Sequence, residues 1–370
     1  MIRRWFLALR CWMLHEKYRL KCNAATPARC RRRAPGKEGI MHATLSPSWK
    51  KNLLLVFVSV VAFATATPAI SRPQCFFQGL GFLPGGSSSG ASGVNANGTV
   101  VVGSAIDASF HGQAFRWTAA SGMVGPGFLP GLTDSVANGV NADGTVVVGF
   151  SSHPRPLSAV QAFRWTAASG MVRLGFLPGG NFSNANGVNA DGTVVVGHAN
   201  DATGILQAFR WTAASGMVGL GFLPGGNFSD ANGVNADGTV VVGHANDATG
   251  ILQGFRWTAA SGMVGLGFLP GGKQSFARGV NADGTVVVGS AIEASDQPQA
   301  FRWTRATRMQ SVLTLLLAAK VVTIAGWRLT SANGVSADGT VIAGDGVDPL
   351  GLPQGWIARL PKESNEDCEE

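Results

Sequence analysis

Tyrosine and charged side chains are scarce in this sequence. It has one tyrosine, Tyr18, and only 14% of its 370 residues are charged. The positive charge is also confined to one end, because residues 1–66 hold 13 Lys and Arg against 2 Asp and Glu, whereas the rest has a net charge of −3. A nucleic-acid-binding protein needs a basic stripe on its folded body. The charge distribution therefore argues against a nucleic-acid partner.

Long apolar runs are missing as well, and the one candidate is short. It covers residues 53–66, follows a pair of lysines and ends in Ala-Thr-Ala. A membrane-spanning helix needs about 20 apolar residues, whereas a basic segment, a short apolar run and an A-x-A site are typical of a secretory signal peptide. We predict a signal peptide at 41–66, cleaved after Ala66, and no membrane span in the mature chain.

The first 40 residues do not fit in front of a signal peptide. They carry three of the five cysteines and a run of three arginines. We interpret residues 1–40 either as an over-extended gene prediction, with translation starting at Met41, or as a basic disordered leader. At the other end, residues 361–370 are predicted to form a disordered acidic tail.

Two cysteines, Cys75 and Cys368, remain after the predicted cleavage. An even number of cysteines in an exported protein permits a disulfide between them. Two free thiols are the alternative.

Glycine is abundant, with 51 residues, and much of it belongs to a repeated unit. The unit contains GFLPGG, then NADGTVVVG, then QAFRWTAASGMVGL, and its tryptophan recurs every 46 or 48 residues. The five tryptophans are Trp117, Trp165, Trp211, Trp257 and Trp303, and a degenerate sixth copy surrounds Trp356. A period of this size indicates a repeat architecture.

Each copy contains four strand signals separated by turn residues. Asp-Gly marks a tight turn, Thr-Val-Val-Val is typical of a strand, Ser-Gly makes the next turn, and Pro-Gly-Gly ends the unit. Four strands in about 46 residues is the size of one propeller blade. We predict an all-β, six-bladed β-propeller over residues 67–360, and an open β-solenoid is the alternative.

The two ends of the repeat region look complementary. Residues 79–86 resemble a fourth strand with no blade before it, and residues 355–360 resemble a third strand with none after it. Pairing of these N- and C-terminal strands would close the ring and remove its exposed edges.

Arginine and aspartate recur with a fixed separation, because the Arg of FRWT precedes the Asp of the next copy by 27 residues in four cases. Both charges are missing where the ring would close, at Ile357 and Asn97. Joint loss is expected of a structural ion pair, although chance divergence of two terminal copies is the alternative. The predicted inter-blade pairs are Arg116–Asp143, Arg164–Asp191, Arg210–Asp237, Arg256–Asp283 and Arg302–Asp338.

Residues that could carry chemistry are few. His198 and His244 occupy equivalent positions, but copies three and four differ only at positions 184/230 and 208/254, so recent duplication explains the matched histidines. We therefore predict no metal site and no cofactor. No Ser–His–Asp or Cys–His set can be assembled, so we predict no catalytic residues and no enzymatic activity. Phe182 and Phe228 are the better candidates for ligand contacts.

The copies differ most in the loop between VVVG and QAFRW. In the second copy this loop is two residues longer, and it carries His153 and Arg155. Because loops on a rigid scaffold are where binding usually resides, we predict a binding loop that contains these two residues. A short helix is also expected around residues 311–319.

The GFLPGG, NADGTVVVG and FRWT motifs, together with the C-terminal stretches at 309–316 and 356–360, resemble the HAF-repeat proteins of bacteria, which are often autotransporter passengers. The resemblance covers residues 79–360 and implies export to the periplasm, the cell surface or the medium, without an established catalytic site. The sequence stops where the membrane barrel of an autotransporter would begin. Release of the protein and a truncated passenger with no function of its own both remain open.

These observations favour a monomeric, exported binding module for a glycan or protein ligand. The alternative is a propeller hydrolase or lyase with its site at the central mouth of the ring. An enzyme of that kind would need non-repeated acidic or histidine residues to converge there, and the sequence alone does not indicate that they do.

Overall fold

The structure is a computed structural model that describes residues 78–153 and 159–360. The predicted signal peptide with its cleavage site at Ala66, the leader, Cys75, Cys368, Arg155 and the acidic tail lie outside the described residues.

Six antiparallel sheets follow one another along the chain, five with four strands and the last with three. The first three sheets contain β1 (Ser89–Val94), β2 (Val100–Ile106), β3 (Gly112–Thr118) and β4 (Gly122–Val124); β5 (Asp134–Val140), β6 (Val146–Ser152), β7 (Gln161–Thr166) and β8 (Gly170–Arg173); and β9 (Ser183–Val188), β10 (Val194–Asn200), β11 (Leu206–Thr212) and β12 (Gly216–Gly219). The last three contain β13 (Ser229–Val234), β14 (Val240–Asn246), β15 (Leu252–Thr258) and β16 (Gly262–Gly265); β17 (Gln274–Val280), β18 (Val286–Ile292), β19 (Pro298–Thr304) and β20 (Arg308–Ser311); and β21 (Arg328–Val335), β22 (Val341–Val347) and β23 (Pro353–Arg359).

An Asp-Gly turn, replaced by Asn97-Gly98 in the first blade, closes the first hairpin of each blade, as the fourth copy illustrates. The Oδ1 atom of Asp237 accepts hydrogen bonds from the backbone N–H of Thr239 at 3.0 Å and from its hydroxyl at 2.7 Å. Gly238 has φ = 77°, a conformation that side chains with a Cβ disfavour. The dipeptide therefore fixes where β13 ends and β14 begins.

The glycine that ends each VVVG motif is required by close backbone contact inside the blade. A Cβ added to Gly243 would lie 1.9 Å from the carbonyl oxygen of Asp230, on the neighbouring strand. The two strands change register next to this contact, between Ala231 and Gly233. A strand glycine of this kind marks a bulge with a close approach of two backbones.

The apolar core lies between successive blades. Val240 and Val242 of β14 pack with Val287 and Phe301 of the next blade, and all four are buried. The FRWT phenylalanine is fully buried in each of the five copies. Each blade therefore needs its neighbour to bury its apolar face.

The innermost strands of all six blades surround one opening. Its 260 Å³ cavity is lined by the Gly-Val pairs 93–94, 139–140, 187–188, 233–234, 279–280 and 334–335. Six sheets of three or four strands each, arranged around one axis, define a six-bladed β-propeller. The predicted fold is confirmed, and the open solenoid alternative is wrong.

The predicted closing strand over residues 79–86 does not form. In each full copy the fourth strand is the segment that begins with Gly-Met-Val or its equivalent, while the LGFLPGG residues that follow make turns, with Gly221 at φ = 80° and Gly225 at φ = 75°. Residues 79–86 likewise make turns, packed on the first blade through Leu83. Among the described residues the sixth sheet has three strands, so the predicted pairing is not observed.

The junction between the sixth and first blades, here called the seam, is looser than the other five. A Cβ on Gly279 would lie 3.3 Å from the Asn333 carbonyl oxygen of the next blade, whereas one on Gly334 would meet nothing within 4 Å. The strand that faces the seam, β1, is also largely exposed. Within the described residues, the first and sixth blades therefore each pack closely against one neighbouring blade and only loosely against each other.

The predicted short helix is confirmed as α1 (Val312–Ala318), followed by a 3₁₀ turn at Val322–Ile324. Ser311 caps the helix, because its hydroxyl accepts a hydrogen bond from the N–H of Thr314. Val312 and Leu316 are buried between the fifth and sixth blades. Within residues 78–153 and 159–360, no helix has the length and apolar character needed to cross a membrane.

Candidate functional site: a histidine–aspartate cluster between two blades

The up-and-down order of the strands gives the propeller two different faces. Connections between first and second strands and between third and fourth strands lie at one end, here called the turn face, which carries the Asp-Gly and Ser-Gly turns. The other connections lie at the opposite end, here called the loop face, which carries the variable loops and the LGFLPGG segments. The residues that differ between copies lie mainly toward the loop face.

The predicted binding loop is described only in part. His153 follows directly after β6 at the loop face and is half-buried. Arg155 lies outside the described residues, so the pairing of these two side chains in one binding loop remains a prediction.

The structure brings His198 and Asp230 together, although they are 32 residues apart. His198 lies in β10 of the third blade, Asp230 lies in β13 of the fourth, and the Nδ1 and Oδ1 atoms are 2.9 Å apart. The side-chain amide of Asn186 donates to the same Oδ1 atom, also at 2.9 Å. The two side chains are 17% and 18% exposed, so a solvent-borne ligand can reach them.

His244 extends this pair into a cluster. It lies directly across from Asp230 in the β13–β14 pair. Burial lowers the pKa of His244; the charge of Asp230 opposes that effect, and electrostatic interaction with His198 and Arg278 adds to it. The imidazole of His244 is therefore neutral at pH 7, and the Asp230 carboxylate lies between two histidines.

Aromatic rings flank both histidines. Phe182 stacks on His198, with ring centroids 5.5 Å apart and planes at 25°. Phe228 and Phe276 both contact His244, with ring centroids 5.6 and 5.3 Å from that of the imidazole. The two phenylalanines predicted as ligand contacts thus restrict how the imidazoles can move.

The cluster lies beside the central opening. Asp230 is three residues from Gly233, which lines that opening, on the same innermost strand. Two histidines and the unrepeated Asp230 do therefore converge near the axis of the ring, which the sequence alone did not indicate. Among the described residues no group of three or more His, Cys, Asp or Glu side chains is arranged to hold a metal ion.

One sequence signal could have identified this cluster. Copies three and four are nearly identical, and one of their two differences is Asn184 against Asp230. In the preceding junction the Asn138 amide donates to Asn184 at 3.0 Å, which mirrors the Asn186 contact to Asp230. The position equivalent to His198 there is Phe150, so among the described junctions only that between blades three and four has a histidine and a carboxylate at these two positions. A looser pair at a different position joins blades one and two, where His111 Nδ1 lies 3.7 Å from Asp134 Oδ2.

The predicted ion pairs are wrong in four of the five cases. Each of these arginines reaches the next blade, but its Nε atom donates to the carbonyl oxygen of the glycine after the aspartate. The contacts are Arg116–Gly144 and Arg164–Gly192 at 3.0 Å, and Arg210–Gly238 and Arg256–Gly284 at 3.1 Å. The carboxylates instead hold the threonines of their own turns, which lowers the pKa of each aspartate. Pairing of Arg302 with Asp338 remains a prediction.

No protein-family model and no curated protein matches the sequence. Solved structures do resemble the fold. TolB from Acinetobacter baumannii is 12% identical with a TM-score of 0.43, and the match covers 60% of this chain and 53% of that one, so this chain spans about half of that protein. Oligogalacturonate lyase from Vibrio parahaemolyticus is 11% identical with a TM-score of 0.46, and the match covers 73% and 76% of the two chains. Similarity at this level says nothing about ligand or reaction, because one fold hosts many functions.

Proposed function

We propose that this chain is an exported binding module whose ligand docks beside the central opening at the loop face, against His198 and Asp230. The observation that carries the proposal is the contact of Asp230, which differs from its counterpart Asn184, with His198 and Asn186 at a partly exposed junction. A combination of polar side chains that the other described junctions do not share is the best candidate for selective recognition. Export is inferred from the basic, apolar and Ala-Thr-Ala segments within residues 41–66.

The chemistry of the cluster suits a polar ligand with hydroxyl or amide groups. Asp230 accepts hydrogen bonds, the neutral imidazole of His244 can donate or accept, and the exposed Arg278 donates. Aromatic rings beside these groups provide flat apolar surface, as pockets for small polar ligands commonly do. A glycan or a peptide loop meets these requirements.

Binding is tested by applying the full chain to an array of glycans, with peptide ligands screened in parallel. Asp230→Asn keeps the shape of the side chain and removes its charge, so we expect about tenfold weaker binding, as for loss of a charge-assisted hydrogen bond. Asp191→Asn is the matched control, because it removes one aspartate charge at the turn face. Equal affinity of both variants for every ligand bound by the wild type would contradict the proposal.

A propeller hydrolase or lyase is the second candidate, and one specific contact favours it. A carboxylate at Nδ1 of His198 orients the imidazole and leaves Nε2 for proton transfer, as in the histidine–aspartate pair of many hydrolases. Cleavage of a bound ligand that disappears in His198→Gln, while binding persists, would support the enzyme. Binding without turnover in the wild type would support the binding module.

A further inference from the structure

Two pockets on the turn face have equivalent linings. The smaller, of 510 Å³, spans the third to fifth blades, and its lining includes Arg210, Thr239, Val240, Arg256, Trp257 and Asp283. The larger, of 670 Å³, lies one blade further, and its lining includes Arg256, Asp283, Thr285, Arg302, Arg305 and Asp338. These two are called the arginine pockets below.

The two arginine pockets are equivalent sites formed by successive repeats. A shift of 46 residues carries Arg210 onto Arg256 and Trp257 onto Trp303. The main difference is Ala259, which becomes Arg305 in the larger pocket. Both volumes fall within the range of small-ligand sites.

Arg256 lines both pockets, and its guanidinium is held in place. Its Nε atom donates to the Gly284 carbonyl oxygen at 3.1 Å. That is its side chain's one hydrogen bond within the described residues, so the two Nη groups are available to a ligand. Burial, and secondarily the positive charge of Arg305, lowers the pKa of Arg256.

Asp283 supplies an acceptor beside these donors. Its Oδ1 atom holds the N–H and hydroxyl of Thr285 at 3.0 and 2.6 Å. These bonds lower the pKa of Asp283, so the carboxylate stays ionised and its second oxygen can accept from a ligand hydroxyl. Trp257 and Val240 give the smaller pocket an apolar wall.

We propose that each arginine pocket binds one carboxylate-bearing sugar residue of an acidic saccharide. The ligand carboxylate would meet the arginine fork, which suits planar bidentate recognition, and its hydroxyls would meet the aspartate and the threonines. The smaller pocket has two arginines and one aspartate, and the larger has three and two, so each has a net charge of +1. This balance matches one negative charge per sugar.

A nucleic acid fits these pockets less well. Its phosphates require an extended basic surface, whereas the body of this chain has a net charge of −3 and an aspartate lines each pocket. Repetition also favours a polymer, because two linked sites raise the avidity of a saccharide chain that can span them.

The test measures binding of an oligoglucuronate to the full chain by calorimetry, beside the same oligosaccharide with its carboxylates methyl-esterified. We expect at least two sites per chain, and about tenfold weaker binding of the ester, because a charge-assisted bond is lost. Arg256→Gln should weaken binding of the acid by about tenfold or more on the same grounds. Arg328→Gln is the control, since it removes an exposed arginine whose Nη1 makes one contact of 3.3 Å to Gln297.

Two further variants keep the test decisive if Arg256→Gln fails to fold. Arg305→Ala gives the larger pocket the residue of the smaller one, and Ala259→Arg does the reverse, so both use side chains that the fold already accommodates. Arg305→Ala should weaken one site by a few-fold, and Ala259→Arg should strengthen the other by a similar factor. Equal binding of acid and ester, equal binding by all variants, or stronger binding of an oligonucleotide than of the oligoglucuronate would each overturn the proposal. Asp230→Asn should leave this binding unchanged, which separates it from the loop-face site.

Discussion

The Nε atom of Arg210 donates a 3.1 Å hydrogen bond to the carbonyl oxygen of Gly238 in the next blade, one residue beyond Asp237. The same contact recurs at three other junctions. The repeat thus joins its blades through a charged side chain and the backbone of a tight turn. The turn aspartate instead accepts hydrogen bonds from the threonine of its own turn.

This geometry predicts that Arg210 and Asp237 are energetically independent. Arg210→Met should lower the free energy of unfolding by about 1–2 kcal/mol, because it removes a partly exposed charged hydrogen bond. Asp237→Asn should cost much less, since Asn97 makes the same turn in the first copy. Urea unfolding of both variants and the double mutant should show additive losses. A coupling energy above about 0.5 kcal/mol would restore the ion pair.

The turn aspartates predict the acid sensitivity of the protein. Hydrogen bonds from the turn threonines lower the pKa of Asp143, Asp191, Asp237 and Asp283. Their stabilisation is therefore fully present above the unfolded pKa of about 4 and is lost as the pH falls through the lower folded values. Replacing all four with Asn should flatten the decline in stability below about pH 4, measured by urea unfolding across pH. An unchanged acid slope would argue against this assignment.

His244 should titrate below the ordinary histidine range, because burial disfavours its charged form. Asp230→Asn should lower the pKa of His244 further, because the carboxylate is the group that raises it. NMR titration of the ring protons measures this shift. Asp247→Asn is the control, since that carboxylate holds only its own loop through Thr249 and Ile251. A rise in the pKa of His244 in Asp230→Asn would contradict the assigned geometry.

The same depressed pKa predicts how stability varies with pH near neutrality. The unfolded chain binds a proton at His244 more readily than the folded one, so this contribution is complete above the unfolded value of about 6.5 and declines as the pH falls below it. His244→Phe should reduce that decline. Unfolding free energies of wild type and variant should therefore converge at lower pH, and parallel curves would rule out His244 as the cause.

The hydroxyl of Ser229 should contribute more to the free energy of unfolding than that of Ser89, its counterpart at the seam. Its buried hydroxyl accepts from the Ala208 N–H at 2.8 Å and donates to the Gly221 carbonyl at 2.7 Å. Ser229→Ala leaves both backbone groups without this partner and should cost about 1–3 kcal/mol. Ser89 is exposed and makes one such bond, at 2.8 Å to Gly81, so Ser89→Ala should cost less than about 0.5 kcal/mol. Equal losses in chemical denaturation would mean that the seam is packed like the other junctions.

Much of the fold was predictable because its determinants are local and repeated. Asp237, Gly238 and Thr239 close their turn with atoms two residues apart, so the motif is sufficient to locate it. The closing strand was misplaced for a local reason too. Residues 79–86 continue the apolar pattern of a strand, but positive-φ glycines in the equivalent segments turn the backbone.

The sequence by itself determined the blade size, the number of repeats and the turns, because each depends on residues close along the chain. The tertiary structure decided which side chains meet. The 27-residue offset predicted Asp237 as the partner of Arg210, one residue away from the true acceptor, Gly238. Arg210 bonds to the carbonyl oxygen because the Asp237 carboxylate is engaged by Thr239. The contact between His198 and Asp230 joins two blades, so it depends on the angle at which successive sheets pack around the axis. The spacing of residues in the sequence does not reveal that angle, because the packing angle results from the burial of the whole apolar face of each blade.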